Sequence, residues 1–288
     1  MRDIRCAQFT EGLIRLKRKK RCYYYYDELT DDFAGNNIKT KQLPPDYEYL
    51  PKSRVFRFFR PAVYHSVRAI CLLCEKLGIA MRVRGKKAVR KRGDRARGCF
   101  IYGNHTSAFS DAVTGATSCG LKECYVVCNP DALSVRGIRT LVRFVGGLPT
   151  PSTRRQYADF GAAVEALCEK GYPILIYPEA HIWPKYSGIR DFSDVSFAYP
   201  VKLNAPCFAK TTVYRKKKNG RTKGVMLIDG PFYPDASLGE REARAELCAR
   251  VKAAMRARVE EYASAADDNY VYTKVDSPSE MRAETVRG

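Results

Sequence analysis

The sequence predicts an α/β fold: a mixed, mainly parallel sheet flanked by helices. Through the middle of the chain, short apolar runs alternate with segments of helical period. Two of these runs end in ionisable motifs, as strands do where an open α/β sheet presents side chains to a crevice at its carboxyl edge. Later, two alternating segments flank Lys216-Lys217-Lys218-Asn219-Gly220 and read as a hairpin, which makes the sheet mixed. A chain of 288 residues with 45% hydrophobic content suffices for such a domain and an ordinary core.

In order, residues 1–53 read as a basic, loosely ordered arm. Arg15, Lys17, Arg18, Lys19, Lys20 and Arg21 precede the Tyr23 to Tyr26 run, and Pro44, Pro45 and Pro51 close the segment. Residues 54–81 are expected to form an amphipathic helical segment. Val55, Phe56, Phe58, Phe59, Val63, Tyr64, Val67, Ile70, Cys71, Leu73, Cys74 and Leu77 crowd onto helical spacings with Arg54, Arg57, Arg60 and Arg68 between them, a composition suited to a membrane interface. A core helix would share the periodicity. Pro61 predicts a kink or two helices.

Residues 82–262 form the expected α/β domain. Residues 78–84 turn into a strand, and 84–97 read as a solvated basic connection. An apolar strand over 99–103 leads into Asn104-His105-Thr106-Ser107-Ala108-Phe109-Ser110-Asp111 and a helix to about Cys119. A second strand covers 123–128, and 135–145 has helical spacing before Gly146-Gly147-Leu148-Pro149. Ser152 is placed to cap the next helix, whose apolar stripe is Tyr157, Phe160, Val164 and Leu167. A third strand over 173–177 ends at Pro178-Glu179-Ala180-His181. After a short helical segment at 197–203, residues 207–214 and 224–229 make the hairpin. Ser237 with Glu240 forms a capping box for a long helix carrying Leu247, Val251, Met255, Val259 and Tyr262 on one face. Residues 263–288 are polar and read as a mobile tail.

The 51 basic residues against 31 acidic ones give a net charge of +20, which favours partners bearing phosphate. An anionic membrane surface, a phosphorylated substrate and nucleic acid all qualify. Eleven cysteines, an odd count, follow a polar N-terminus without a signal core, so they read as reduced thiols in the cytoplasm. The most apolar stretch, 62–81, is interrupted by His65, Arg68, Glu75 and Lys76, and no transmembrane helix is expected.

His105 is one of three histidines and lies at a strand-to-helix switch. A neutral imidazole can take a proton when a carboxylate holds its other ring nitrogen, and Asp111 can supply that carboxylate if it sits in the helix's first turn. The helix start would also present free N–H groups to an anion. No Gly-x-Ser-x-Gly elbow, P-loop or dinucleotide fingerprint is present.

These motifs resemble the sequence blocks of the glycerolipid acyltransferase superfamily, of 1-acylglycerol-3-phosphate (lysophospholipid) acyltransferase type. Asn104 to Asp111 is similar to the first block and Tyr177-Pro178-Glu179-Ala180 to the third. Gly146 to Pro149 is similar to the glycine-rich second block and Tyr199-Pro200-Val201 to the fourth. The resemblance covers about residues 55–262. It implies transfer of a fatty acyl group from acyl-CoA or acyl carrier protein, as co-substrate, to the hydroxyl of a lysophospholipid. His105 would act as general base and Asp111 as its orienting partner, without a covalent acyl-enzyme. Asn104, Ser107, Gly147, Pro178 and Glu179 would line the substrate site, with Arg154 or Arg155 on the phosphate. It implies no metal, no further cofactor and no nucleic-acid partner, and a cytoplasmic enzyme peripheral to an anionic membrane.

This chain departs from the family at three places. Five residues, not four, separate His105 from Asp111. The third block continues Glu179-Ala180-His181-Ile182 instead of Glu-Gly-Thr-Arg, so its arginine is missing. Thr150-Pro151-Ser152-Thr153 precedes any arginine after the second block. Two other readings stay open on the residues alone: a metal-dependent hydrolase using His105, Asp111, Glu179 and His181, and a basic nucleic-acid-binding protein.

Overall fold

The computed structural model describes residues 20–33, 42–91, 96–120, 122–134, 137, 139–218, 221–266 and 269–281. The first half of the chain forms β1 (Arg21–Tyr25), α1 (Arg54–Leu77), β2 (Arg82–Arg84), α2 (Lys86–Arg90), β3 (Cys99–Gly103), α3 (Ala108–Ser118), β4 (Tyr125–Cys128), α4 (Asp131–Ser134) and α5 (Arg139–Phe144). The second half adds β5 (Gly147–Pro149), α6 (Arg154–Glu169), β6 (Pro173–Ile176), α7 (Ala198–Leu203), β7 (Cys207–Lys216), β8 (Thr222–Phe232), α8 (Glu240–Tyr262) and β9 (Tyr270–Lys274).

Seven strands build one sheet in the order β2-β8-β7-β3-β6-β4-β5. The five from β7 to β5 are mutually parallel, whereas β8 runs antiparallel to β7 and β2 follows β8. This is the mixed, mainly parallel sheet the sequence predicts. The loops after β3, β4, β5 and β6 therefore open on one edge of the sheet.

β3 shows why the apolar runs lack alternation: both of its faces are covered. Phe100 and Tyr102 enter a core with Phe160, Val164 and Leu167 of α6 and Leu247, Val251 and Met255 of α8. Cys99 and Ile101 enter the opposite layer with Val83, Val89, Cys119, Leu175 and Phe208.

α1 starts where the Ser53 hydroxyl accepts the Phe56 N–H at 3.3 Å and ends at Gly78, whose φ of 76° only glycine adopts without strain. Of the two outcomes expected at Pro61, a kink or two helices, the second is excluded: α1 is one continuous helix through the proline. Anchors next to the proline account for this. Arg60 donates to the Phe144 carbonyl at 3.3 Å and pairs with Glu123 at 3.1 Å, while the buried Tyr64 hydroxyl accepts the Cys124 N–H at 2.8 Å. Val55, Phe58, Phe59, Ile70, Leu73 and Leu77 remain exposed on this helix.

Several expectations are corrected. Parts of the supposed arm and tail are ordered against one another: β1 pairs in parallel with β9, Tyr23 stacks on Tyr272 at 4.8 Å, and Trp183 stacks on Tyr272 at 5.0 Å. Leu43, Tyr47 and Tyr49 belong to the core. Local periodicity cannot register a pairing between chain ends, and the tyrosines supply the apolar area that offsets ordering. The basic connection contains α2 with Val89 fully buried; residues 92–95, like Arg15 to Lys19, lie outside the described residues. The expected helix at 135–145 is α5 alone, with residues 135, 136 and 138 outside the described ones. Thr153, not Ser152, caps α6, accepting the Gln156 N–H at 3.3 Å, and Tyr157 points out from its apolar stripe. Gly239 precedes α8, while the Ser237 hydroxyl turns back to Asp235 at 2.7 Å.

Candidate active site

Gly103 closes β3, and Asn104 carries the ladder one step further with its side chain. Its Nδ2 donates to the Thr212 carbonyl at 3.0 Å and its Oδ1 accepts the Thr212 N–H at 2.7 Å. Asn104 is fully buried, so it holds the strand end and does not face a substrate. Beyond it the backbone leaves the sheet and presents His105 at the carboxyl edge.

Ser107 is the N-cap of α3, accepting the Ser110 N–H at 3.4 Å, and places Asp111 in the first turn. One oxygen of Asp111, Oδ2, accepts three bonds: His105 Nδ1 at 2.9 Å and the Thr106 and Ser107 N–H groups at 3.0 Å each. The extra residue in the motif is thus absorbed by a loop that wraps the carboxylate. The other oxygen faces the Lys210 ammonium of β7 at 3.4 Å. Burial acts to raise the Asp111 pKa, but the Lys210 charge, then His105 and the Ser107 N–H, outweigh it and hold the carboxyl below its ordinary value.

An ionised Asp111 requires that His105 Nδ1 carry the proton, which leaves the Nε2 lone pair free. The imidazole stacks on Tyr177, centroids 4.5 Å apart and planes 21° apart, and is 18% exposed; among the described residues Nε2 has no partner. The pair can therefore accept a proton from a ligand hydroxyl at the crevice.

Glu179 is turned inward. Its Oε2 accepts the His105 N–H at 2.9 Å, its Oε1 accepts the Arg190 N–H at 3.0 Å, and the fully buried Arg190 guanidinium pairs with it at 3.2 Å. Burial pushes the Glu179 carboxyl up, against the pull of Arg190 and the two N–H donors. Its geometry is that of a brace on the His105 backbone, not of a surface for the acceptor. Arg190 also donates to the His181 carbonyl and to the Glu28 carbonyl, the latter at 3.3 Å. Ala180 adopts φ 61°, a left-handed conformation that glycine would take with less strain.

Of the remaining expected residues, Pro178 opens the half-buried turn after β6, and Gly147 begins β5 in register with Val126. A Cβ on Gly147 would lie 2.4 Å from Val142. Arg154 and Arg155 are exposed in the first turn of α6, beyond the carboxyl end of β5; Arg155 pairs with Asp159 at 4.0 Å. Three strand spacings separate β5 from β3, roughly 14 Å, so these arginines share the edge with His105 without touching it. Tyr199, Pro200 and Val201 lie in α7. His181 Nδ1 lies 3.7 Å from Asp32, and among the described residues no three potential metal ligands converge.

Sequence reasoning missed Lys210 and Arg190, and gave Tyr177, the first residue of the third block, no role. A lysine inside the apolar run of β7 was a visible signal; the loop residue Arg190 offered none.

Fold and site together define a class: an open α/β sheet with a histidine–aspartate pair at its carboxyl edge, buttressed by a buried glutamate. No family model and no curated protein matches the sequence. In three dimensions the chain is similar to the crystal structure of the 1-acyl-sn-glycerophosphate (LPA) acyltransferase PlsC from Thermotoga maritima. The TM-score is 0.53 at 18% identity, over 75% of this chain and 86% of that one, and the chain has that acyltransferase's fold.

Proposed function

We propose that the protein is a glycerolipid acyltransferase that moves a fatty acyl group from a thioester, on acyl-CoA or acyl carrier protein, to the hydroxyl of a lysophospholipid. The observation that carries the reading is the His105–Asp111 pair at 2.9 Å, with Nε2 unengaged at the crevice. Likeness in fold to an LPA acyltransferase supports it.

In this mechanism Nε2 takes the acceptor's hydroxyl proton as the oxygen attacks the thioester carbonyl. The tetrahedral intermediate collapses with cleavage of the C–S bond, and the imidazolium returns its proton to the departing thiolate. No enzyme nucleophile takes part. Asp111 keeps the ring in the productive tautomer and balances the imidazolium, while general-base assistance by His105 is worth on the order of 10² to 10⁴ in rate. Glu179 fixes the backbone from which His105 projects, and Arg154 or Arg155 binds the acceptor's phosphate. The exposed apolar face of α1 and the basic surface hold the protein against an anionic membrane, where the lysophospholipid acceptor resides. Among the described residues no helix is long and apolar enough to cross it.

The test is an acyl-transfer assay across a panel of thioester donors and lysophospholipid acceptors, with wild type and His105→Ala. Transfer by the wild type that drops at least a hundredfold in the variant supports the reading. Equal rates in both remove it.

A further inference from the structure

β7 carries a lysine where an apolar residue would be ordinary. Lys210 lies in a buried strand between Ala209 and Thr211, with no exposed surface. An unpaired ammonium in such a place costs several kcal/mol or loses its proton. This one is paired with Asp111 and hydrogen-bonded to hydroxyls beside it. Its Nζ lies 3.4 Å from Asp111 Oδ1 and donates to the Tyr177 hydroxyl at 2.7 Å and the Thr114 hydroxyl at 3.2 Å, with the Met226 sulfur at 4.0 Å. The Tyr177 hydroxyl in turn donates to the Asp111 carbonyl at 2.8 Å, and its ring supports the His105 imidazole.

The chain also makes room for this lysine. A Cβ on Gly103 would lie 2.8 Å from Lys210 Cε and 2.9 Å from the Tyr177 ring, so the glycine that ends β3 is the gap through which the stem passes. Resting on the acyltransferase reading of the same site, we propose that Lys210 is a positioning residue: a buried counter-charge beneath Asp111 that holds the carboxylate ionised and aimed at His105.

The neighbours permit a signed expectation. The groups facing the pair are Lys210 from β7, Tyr177 and Glu179 after β6, Tyr214 further along β7 and Cys124 before β4. Among the described residues Lys210 is the cation in direct contact with Asp111; burial pulls the Lys210 pKa down and the Asp111 charge works against that pull. Removing that charge makes a proton easier to add to the His105–Asp111 unit, whichever of the two carries it. The working form, with neutral imidazole and ionised carboxylate, then requires a higher pH.

The experiment compares wild type, Lys210→Met and Lys210→Arg. Proton uptake by the pair is followed by NMR on the His105 ring carbons, which are assignable among three histidines, and beside it the pH profile of kcat/KM. Lys210→Met should move both the ring transition and the acid limb upward by roughly one pH unit or more, with Lys210→Arg closer to wild type. An unmoved transition in folded Lys210→Met overturns the proposal, because a merely structural lysine would lower activity without moving it. If Lys210→Met does not fold, the Nζ resonance of ¹⁵N-lysine-labelled wild type decides: an ammonium at neutral pH supports the proposal and a neutral amine overturns it. Wild-type protein without acyl transfer but with the NMR shift would fail the reaction reading alone.

Discussion

Glu179 Oε2 accepts the backbone N–H of His105 at 2.9 Å, joining two motifs that lie 74 residues apart. The bond runs from the end of β6 to the end of β3, neighbouring parallel strands, and ties the two loops together. The carboxylate that makes it is balanced by Arg190, and neither side chain reaches solvent. Removing one partner therefore strands the other.

Glu179→Gln keeps the volume and leaves Arg190 buried without its counter-charge, which should cost about 3–5 kcal/mol in unfolding free energy by urea denaturation. Arg190→Met should be milder at low pH. Burial already raises the Glu179 pKa above its ordinary value, and loss of Arg190 raises it further, so the folded form gains stability as pH falls and the carboxyl takes a proton. The double variant should lose less than the two singles summed. Additive losses would show that the pair is not coupled.

Asp111→Asn tests the tautomer. An amide presenting its NH₂ to Nδ1 favours the ring form with the proton on Nε2, so the lone pair faces the wrong way. kcat should fall by on the order of 10⁴ with KM little changed. Stability carries a second sign. The Asp111 pKa is lowered from 3.8 in the folded state, so its stabilisation is present above the unfolded value and disappears as pH drops through the folded one. The wild-type advantage over Asp111→Asn in denaturation should accordingly shrink below about pH 4. An advantage that grew in acid would contradict the assignment of Asp111 as the ionised partner.

The parts legible in the sequence are those written in local pattern. Runs such as Phe100 to Tyr102 and Ile174 to Ile176 announced buried strands because both sheet faces are covered, and His105 stood out by its place after one of them. What the pattern concealed was long-range. Asp111 is fixed by Lys210, 99 positions away, and Trp183 donates to the Asp31 carbonyl from 152 positions away. The aromatic pairing of β1 with β9 is likewise non-local. Glu179 was visible as a motif residue, but its direction depended on Arg190, whose place no spacing rule supplies.

Arg154 is the sharper of the two phosphate candidates, because Arg155 already has Asp159 beside it. A charge-assisted hydrogen bond to phosphate contributes about 1.5–3 kcal/mol. Arg154→Ala should raise KM for a lysophosphatidate acceptor by roughly ten- to a hundredfold, while a neutral monoacylglycerol is used as before. Equal KM changes for both acceptors would place the phosphate elsewhere.

The outward face of α1 predicts how the protein meets its lipid substrates. Phe58 is 78% exposed and Leu73 54%, so neither supports the core, and both lie on the helix that also carries Ile70 and Leu77. Each large apolar side chain gains about 1.5–3 kcal/mol on full burial, and partial entry into an acyl boundary gains part of that. Phe58→Ser with Leu73→Ser should therefore weaken sedimentation with anionic vesicles by roughly 10- to 100-fold, leave the thermal unfolding midpoint within a few degrees of wild type, and leave turnover of a water-soluble short-chain thioester intact. The net charge of +20 adds an attraction that salt screens, so raised ionic strength should weaken wild-type binding without abolishing it. Vesicle binding unchanged in the double variant would assign attachment to the basic surface alone and take the α1 face out of the proposal.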